Sequence, residues 1–157
     1  MGSEMCIRDS INARSETAPS SQRFQKAYKK GRCLIPASGF YEWQAGTMMR
    51  QPFFVKRSDD KPFLFAGLWE GPSQTSQLFS ACILTCSAVS SLTSIHHRMP
   101  VIFEQKRAHD WLVSGQPSLM QPFDEVDLVA FPVSTSCLLY TSPSPRDLST
   151  SRMPSSA

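Results

Sequence analysis

No stretch of the 157 residues reaches the roughly 18 consecutive apolar residues that a bilayer-spanning helix needs, and no charged-then-apolar leader opens the chain. The sequence reads as cytoplasmic, not secreted, with no membrane partner. It also lacks a CxxC pair: the five cysteines (Cys6, Cys33, Cys82, Cys86, Cys137) are odd in number and widely spaced, unlike a disulfide scaffold or zinc ribbon. Histidine is scarce, His109 standing alone beyond the His96-His97 pair, so no metal and no cofactor is expected. Internal repeats are absent. Charged residues make up only 18%, and the net charge of +3 says little about partners. Acids are missing between Arg23 and Arg32, however, where Lys26, Lys29 and Lys30 also stand. That patch fits either a phosphate backbone or a solvated helix face.

What is present suffices for one domain. Hydrophobic residues make up 41%, enough at this length to bury a core. Residues 11–136 carry the pattern. The opening MGSEMCIRDS has no helical or strand period, and 137–157, rich in Ser, Pro and Thr, has the composition of a disordered tail. "MCIRDS" and "LLYTSPSPRD" resemble translated sequencing adapter. Residues 1–10 and 137–157 are therefore expected to be a non-native leader and a non-native tail around a partial domain.

Within 11–136, SQRFQKAYKK spaces Phe24, Ala27 and Tyr28 for a short helix, with Ser20 or Ser21 placed to cap it. RCLIPASGFYEW reads as a strand with a bend or bulge at Pro36 and Gly39. QPFFVKR and PFLFAGLWE read as two strands joined by a hairpin-like SDDK turn. FSACILTCSA is the most strongly buried strand pattern, with Cys82 and Cys86 both facing the core. EQKRAHDWLV sets Ala108, Trp111 and Leu112 on one helical face, and VDLVAFPVS returns to strand. The order predicts an α+β domain, mainly antiparallel, with a few short helices.

Three polar clusters could carry chemistry. If the run before it is extended, Glu42 shares a face with Leu34 and Phe40, an apolar setting suited to a general acid or base; the plainer alternative is a strand-end glutamate turned to solvent. In SIHHRMP, Pro100 holds Met99 extended, so His96, His97 and Arg98 sit at a strand entry where imidazole can move protons and guanidinium can grip phosphate. In NARSETA, an extended chain would point Asn12, Arg14 and Glu16 the same way; a capped turn would make them unremarkable.

Taken in order, NARSETA, RCLIPASGFYEW, FAGLWE, TCSA, HHRMPVIF, Trp111-Leu112 and FPVS resemble the SOS response-associated peptidase (SRAP) family from about Asn12 to Ser134. The resemblance implies a barrel-like, mainly antiparallel sheet fold and a monomeric DNA-damage enzyme, one that senses abasic sites in single-stranded DNA and links to them covalently. In that family a cysteine exposed by removal of the initiator Met condenses through its α-amine with the ring-opened sugar, and its thiol closes a thiazolidine. The resemblance gives Glu42 and His96 catalytic roles, in ring opening and Schiff-base formation and at the sugar hydroxyl. Asn12 and Arg14 would orient the sugar and hold its phosphate, Arg98 would make a second phosphate contact, and His97 has no assigned role. Protease, hydrolase and lyase activities belong to the same implication.

The nucleophile does not carry over. Family members begin Met-Cys-Gly-Arg and run through a substantial segment before Asn-Ala-Arg. Here Cys6 precedes Asn12 by six residues, a reach of at most about 20 Å, and its amine is in a peptide bond unless translation starts at Met5. Cys6 is therefore not expected to be the nucleophile, and the native N-terminus is expected to be missing. Two other readings stand beside this one: a noncovalent single-stranded DNA-binding fragment, and an inactive truncated chain with an exposed sheet edge. A cysteine peptidase using Cys33 or Cys86 with His96 is disfavoured by their apolar surroundings.

Overall fold

The computed structural model describes residues 11–46, 51–72, 77–122 and 127–134. The expected leader and tail, with Cys6 and Cys137, lie outside the described residues. Among the described residues nine strands form two sheets: β1 (Asn12–Arg14), β2 (Arg32–Ala37), β3 (Phe40–Trp43), β4 (Pro52–Arg57), β5 (Phe63–Glu70), β6 (Ser80–Ser87), β7 (Arg98–Pro100), β8 (Ile102–Phe103) and β9 (Leu128–Pro132). The helices are α1 (Gln25–Lys30) and α2 (Gln105–Ser114). This is the expected α+β class, with the sheets left open instead of closed into a barrel.

The first sheet runs β1-β6-β5-β2, and β1 lies parallel to β6 at its edge. β5 and β6 pair directly only from Gly67 to Glu70 and Ser80 to Ile83. Beyond that the β7–β8 segment enters between them: Val101 donates its N–H to Leu84 and accepts from Ala66. This insertion pairs Arg98 with Ser87 and Pro100 with Thr85, whose other side pairs with Arg14, and the Arg98 side chain reaches back to the Thr85 carbonyl. The alternation read in β6 holds, with Cys82, Leu84 and Cys86 buried. Ile83 and Thr85 therefore face the opposite side.

The second sheet, β3-β4-β9, corrects two expectations. The run from Arg32 to Trp43 is two strands, β2 in the first sheet and β3 in the second, so Leu34 does not share a face with Glu42. The chain crosses over at Ser38-Gly39, where a Cβ on Gly39 would lie 2.4 Å from Phe54 Cζ and 2.6 Å from the Val55 carbonyl oxygen. The break falls at the bend expected from Pro36 and Gly39, but β-forming residues stand on both sides of it, so packing is what sends the second half into the other sheet. Gly39→Ala should cost about 1–3 kcal/mol of stability, the range for overfilling a packed site, read as a lowered urea midpoint; an unchanged midpoint would contradict so tight a crossing. Likewise SDDK does not close a hairpin: β4 pairs with β3 and β9, whereas β5 pairs with β2, β6 and β8. Asp59 accepts from Arg57 and from the Lys61 N–H, which suits a turn passing between sheets.

α2 covers the first sheet with Ala108 and Trp111; Leu112 turns outward at 42% exposure, because the buried stripe of this helix is narrower than the apolar run suggested. α2 ends at Gly115, whose left-handed φ of 60° lets its N–H reach the Trp111 carbonyl. α1 starts later than expected. Ser20 and Ser21 fall in the preceding turns, Phe24 occupies the cap position, and no side chain caps it. Arg32 also leaves the expected basic patch, since its guanidinium donates to the carbonyls of Tyr28, Trp111 and Leu112 and ties the end of α2 to β2.

Candidate functional site

Between the two sheets lies an open groove of about 460 Å³. Asn12 and Arg14 reach it from β1, where Ala13 between them points into the core. Thr85 and Ile83 come from β6, Phe65 from β5, Met99 and Pro100 from β7, and Phe40, Tyr41 and Glu42 from β3. His96 and Arg98 complete it. The five residues expected at the site, drawn from three separate stretches of sequence, thus meet in one groove. Among the described residues, the side chains of Asn12 and Arg14 make no direct hydrogen bond or ion pair, although the Arg14 charge acts on the nearby Glu16 carboxyl.

Glu42 is half-buried and accepts a 3.2 Å hydrogen bond from the Trp43 N–H. It lines a narrower recess together with His96, Phe40, Val55, Leu92 and Ile95. The apolar surroundings anticipated for Glu42 are thus real, but they come from this recess and from Phe40, not from Leu34. His96 is set by local geometry: its backbone N–H donates to Leu92, and its Nδ1 lies 3.1 Å from the Arg98 N–H. The same nitrogen lies 3.2 Å from the Arg98 carbonyl oxygen, so Nδ1 sits between a backbone donor and a backbone acceptor of Arg98, and these contacts hold the ring in either tautomer. The His97 ring lies 4.4 Å from that of His96, tilted by 30°, and is outside the groove lining.

Arg98 is more engaged than a free phosphate contact would be. Its Nη1 and Nη2 donate to the two carboxylate oxygens of Glu16 at 2.6 and 3.0 Å, and Nη2 also donates to the Thr85 carbonyl at 2.5 Å. The hydrogen bond from Arg98 holds the Glu16 carboxyl below its ordinary range, with burial opposing. Glu16 does not share the strand face of Asn12 and Arg14 as an extended chain would require. The chain turns after Arg14, with the Ala18 N–H bonding back to the Arg14 carbonyl, and Glu16 meets Arg98 from that turn.

Thr85 and Tyr41 were not singled out in the sequence. For Thr85 a signal existed: it stands at an outward position of β6, the lone hydroxyl there between buried neighbours. Among the described residues no three His, Cys, Asp or Glu side chains gather as a metal site requires. The described cysteines are poor nucleophiles, since burial raises the Cys33 thiol and pushes Cys82 and Cys86 up to about 11. No helix among the described residues is long and apolar enough to cross a membrane.

Comparison with known proteins agrees with the motif order. The sequence matches the family described as SOS response associated peptidase (SRAP) over residues 3–138. It is 35% identical over 134 residues to the abasic site processing protein YoqW of Bacillus subtilis, covering 80% of this chain and 60% of that protein. With the abasic site processing protein YedK of Escherichia coli it shares 33% identity over 110 residues, covering 68% of this chain and 50% of the relative. A crystal structure of a protein from Bacteroides thetaiotaomicron superposes with a TM-score of 0.74 at 25% identity, over 90% of this chain and 66% of that one. The chain therefore spans about 60% of the length of YoqW.

Proposed function

The chain belongs to the SOS response-associated peptidase family, and from that premise we propose that its groove receives the sugar of an abasic site in single-stranded DNA. One observation carries this reading: Asn12, Arg14, Glu42, His96 and Arg98 line a single open groove. The groove is suited to a flexible, base-less nucleotide. Arg14 offers an unpaired guanidinium to the flanking phosphate, and Asn12 offers both a donor and an acceptor to sugar oxygens. Phe40 and Phe65 supply apolar walls where a base would otherwise lie.

The chemistry that follows binding is proton transfer. Opening an abasic sugar to its aldehyde moves a proton from a hydroxyl, and Schiff-base formation moves further protons between amine, carbinolamine and water. Glu42 and His96, lining the same recess, are the pair placed to exchange them. Covalent capture as a thiazolidine would then need an α-amine beside a thiol, so that the amine attacks the aldehyde, water leaves, and the thiolate adds to the resulting imine carbon. We assign no residue of this chain as that nucleophile. Cys33, Cys82 and Cys86 have no free α-amine, and Cys6 has one only if Met5 starts the chain and is removed.

The test is a denaturing gel. The chain as written, and a version begun at Met5, are incubated with single-stranded DNA carrying one abasic site, with YoqW as positive control. The expected result is a shifted band for YoqW alone. A band that survives denaturation with the Met5 version would make Cys6 the nucleophile. Binding to the same strand under native conditions without any covalent band would fit the noncovalent reading, which the unpaired Arg14 favours over an inactive chain.

A further inference from the structure

Resting on the reading of the groove as a DNA site, we propose that Glu16 occupies the place of a DNA phosphate on Arg98, so that Arg98 is a masked anion site opened when a phosphate displaces the carboxylate. The geometry supports the substitution. A carboxylate and a phosphodiester both present two anionic oxygens to the fork of a guanidinium, and Glu16 takes the two Nη donors in that manner, at 2.6 and 3.0 Å. No second fork is on offer, because Arg98 Nε is buried without a partner. A phosphate approaching from the groove must therefore use the Nη edge that Glu16 holds.

The two partners differ in how firmly they are held. Arg98 is anchored, with its side chain 17% exposed and Nη2 bonded to both the carbonyl and the hydroxyl of Thr85. Glu16 is 46% exposed and stands on a turn, so its carboxylate can swing into water while the guanidinium stays in place. Without a ligand, Glu16 satisfies a half-buried cation that would otherwise be exposed to any passing anion. An isolated phosphate gains little by displacing it. A DNA strand held at the same time by Arg14 presents its next phosphate at high local concentration and can do so. Glu16 is thus a specificity-determining residue, favouring polyanions fixed at two points over single anions.

The experiment uses two probes, inorganic phosphate followed by thermal unfolding and a labelled abasic single strand followed by fluorescence anisotropy. The variants are Glu16→Gln, Glu16→Asp, Arg98→Ala and the Glu16→Gln/Arg98→Ala pair. Glu16→Gln should gain a phosphate-dependent rise in Tm that the unaltered chain lacks, and should bind the strand about two- to fivefold tighter, the range an ion pair of this exposure is worth. Both gains should vanish in the double variant. Glu16→Asp, whose shorter side chain reaches the fork less well, should fall between, and it serves as the measured variant if Glu16→Gln does not unfold cooperatively. Equal phosphate responses of the variants and the unaltered chain, or weaker strand binding by Glu16→Gln, would overturn the proposal and make Glu16 a strut for Arg98. The expected phosphate response with no strand binding by any variant would leave the masked anion site standing and refute the DNA reading of the groove.

Discussion

Glu42→Gln and His96→Ala are each expected to slow covalent capture of an abasic site by about 10²–10⁴-fold, the usual contribution of a positioned general acid or base. The measurement is single-turnover capture on denaturing gels, in a version of the chain to which a Met-Cys start and a supporting segment have been added. Glu42→Gln keeps the shape and the hydrogen bond from the Trp43 N–H while removing the ability to accept a proton at neutral pH. His96→Ala removes the imidazole whose Nδ1 is engaged by the Arg98 backbone N–H and carbonyl. Because both side chains line one recess, the double variant should lose little more than the more damaging single one. Capture at an unchanged rate by both single variants would remove them from the mechanism.

Trp111→Ala is expected to cost about 3–5 kcal/mol of stability, a large share of the roughly 5–15 kcal/mol typical of a domain. The indole is fully buried, packs at 5.7 Å against Tyr28 and 5.9 Å against Phe103, and donates from Nε1 to the Cys33 carbonyl at 3.1 Å. Its own carbonyl accepts from Arg32. The substitution therefore opens a cavity between α2 and the first sheet and leaves the Cys33 carbonyl without its partner. Trp111→Phe should cost clearly less, since it keeps most of the apolar volume. Urea unfolding reads both, and a loss under about 1 kcal/mol for Trp111→Ala would contradict the packing described.

Much of the fold was legible where burial and local pattern agree. In β6 the alternation of apolar residues placed Cys82 and Cys86 in the core, where they lie. The segment between Arg32 and Trp43 was not legible, because β-forming residues flank Gly39 on both sides and nothing local says that the chain changes sheets there. The same applies to the turn after Arg57. Arg32 read as one more surface cation because its carbonyl partners on α2 lie about 80 positions away.

The grouping of the five candidate residues was legible for a different reason. Asn12, Arg14, Glu42, His96 and Arg98 were named from a resemblance in motif order, and the structure brings them into one groove. Their chemistry alone left each cluster ambiguous, since an isolated glutamate or a histidine pair more often has a plain structural role. The bond between Glu16 and Arg98 could not be read at all: it joins a turn to a strand entry through the insertion of β7 beside β6.

The most direct measurement is the affinity of this chain for a labelled single strand carrying one stable abasic-site analogue, against the same strand without the lesion, at several salt concentrations. Tighter binding of the lesion strand is expected, with the preference reduced by Asn12→Ala, and the affinity for both strands lowered by Arg14→Ala with a shallower salt dependence, as follows from losing one phosphate contact. Equal affinity for the two strands, unchanged by either substitution, would contradict the assignment of the groove to an abasic sugar.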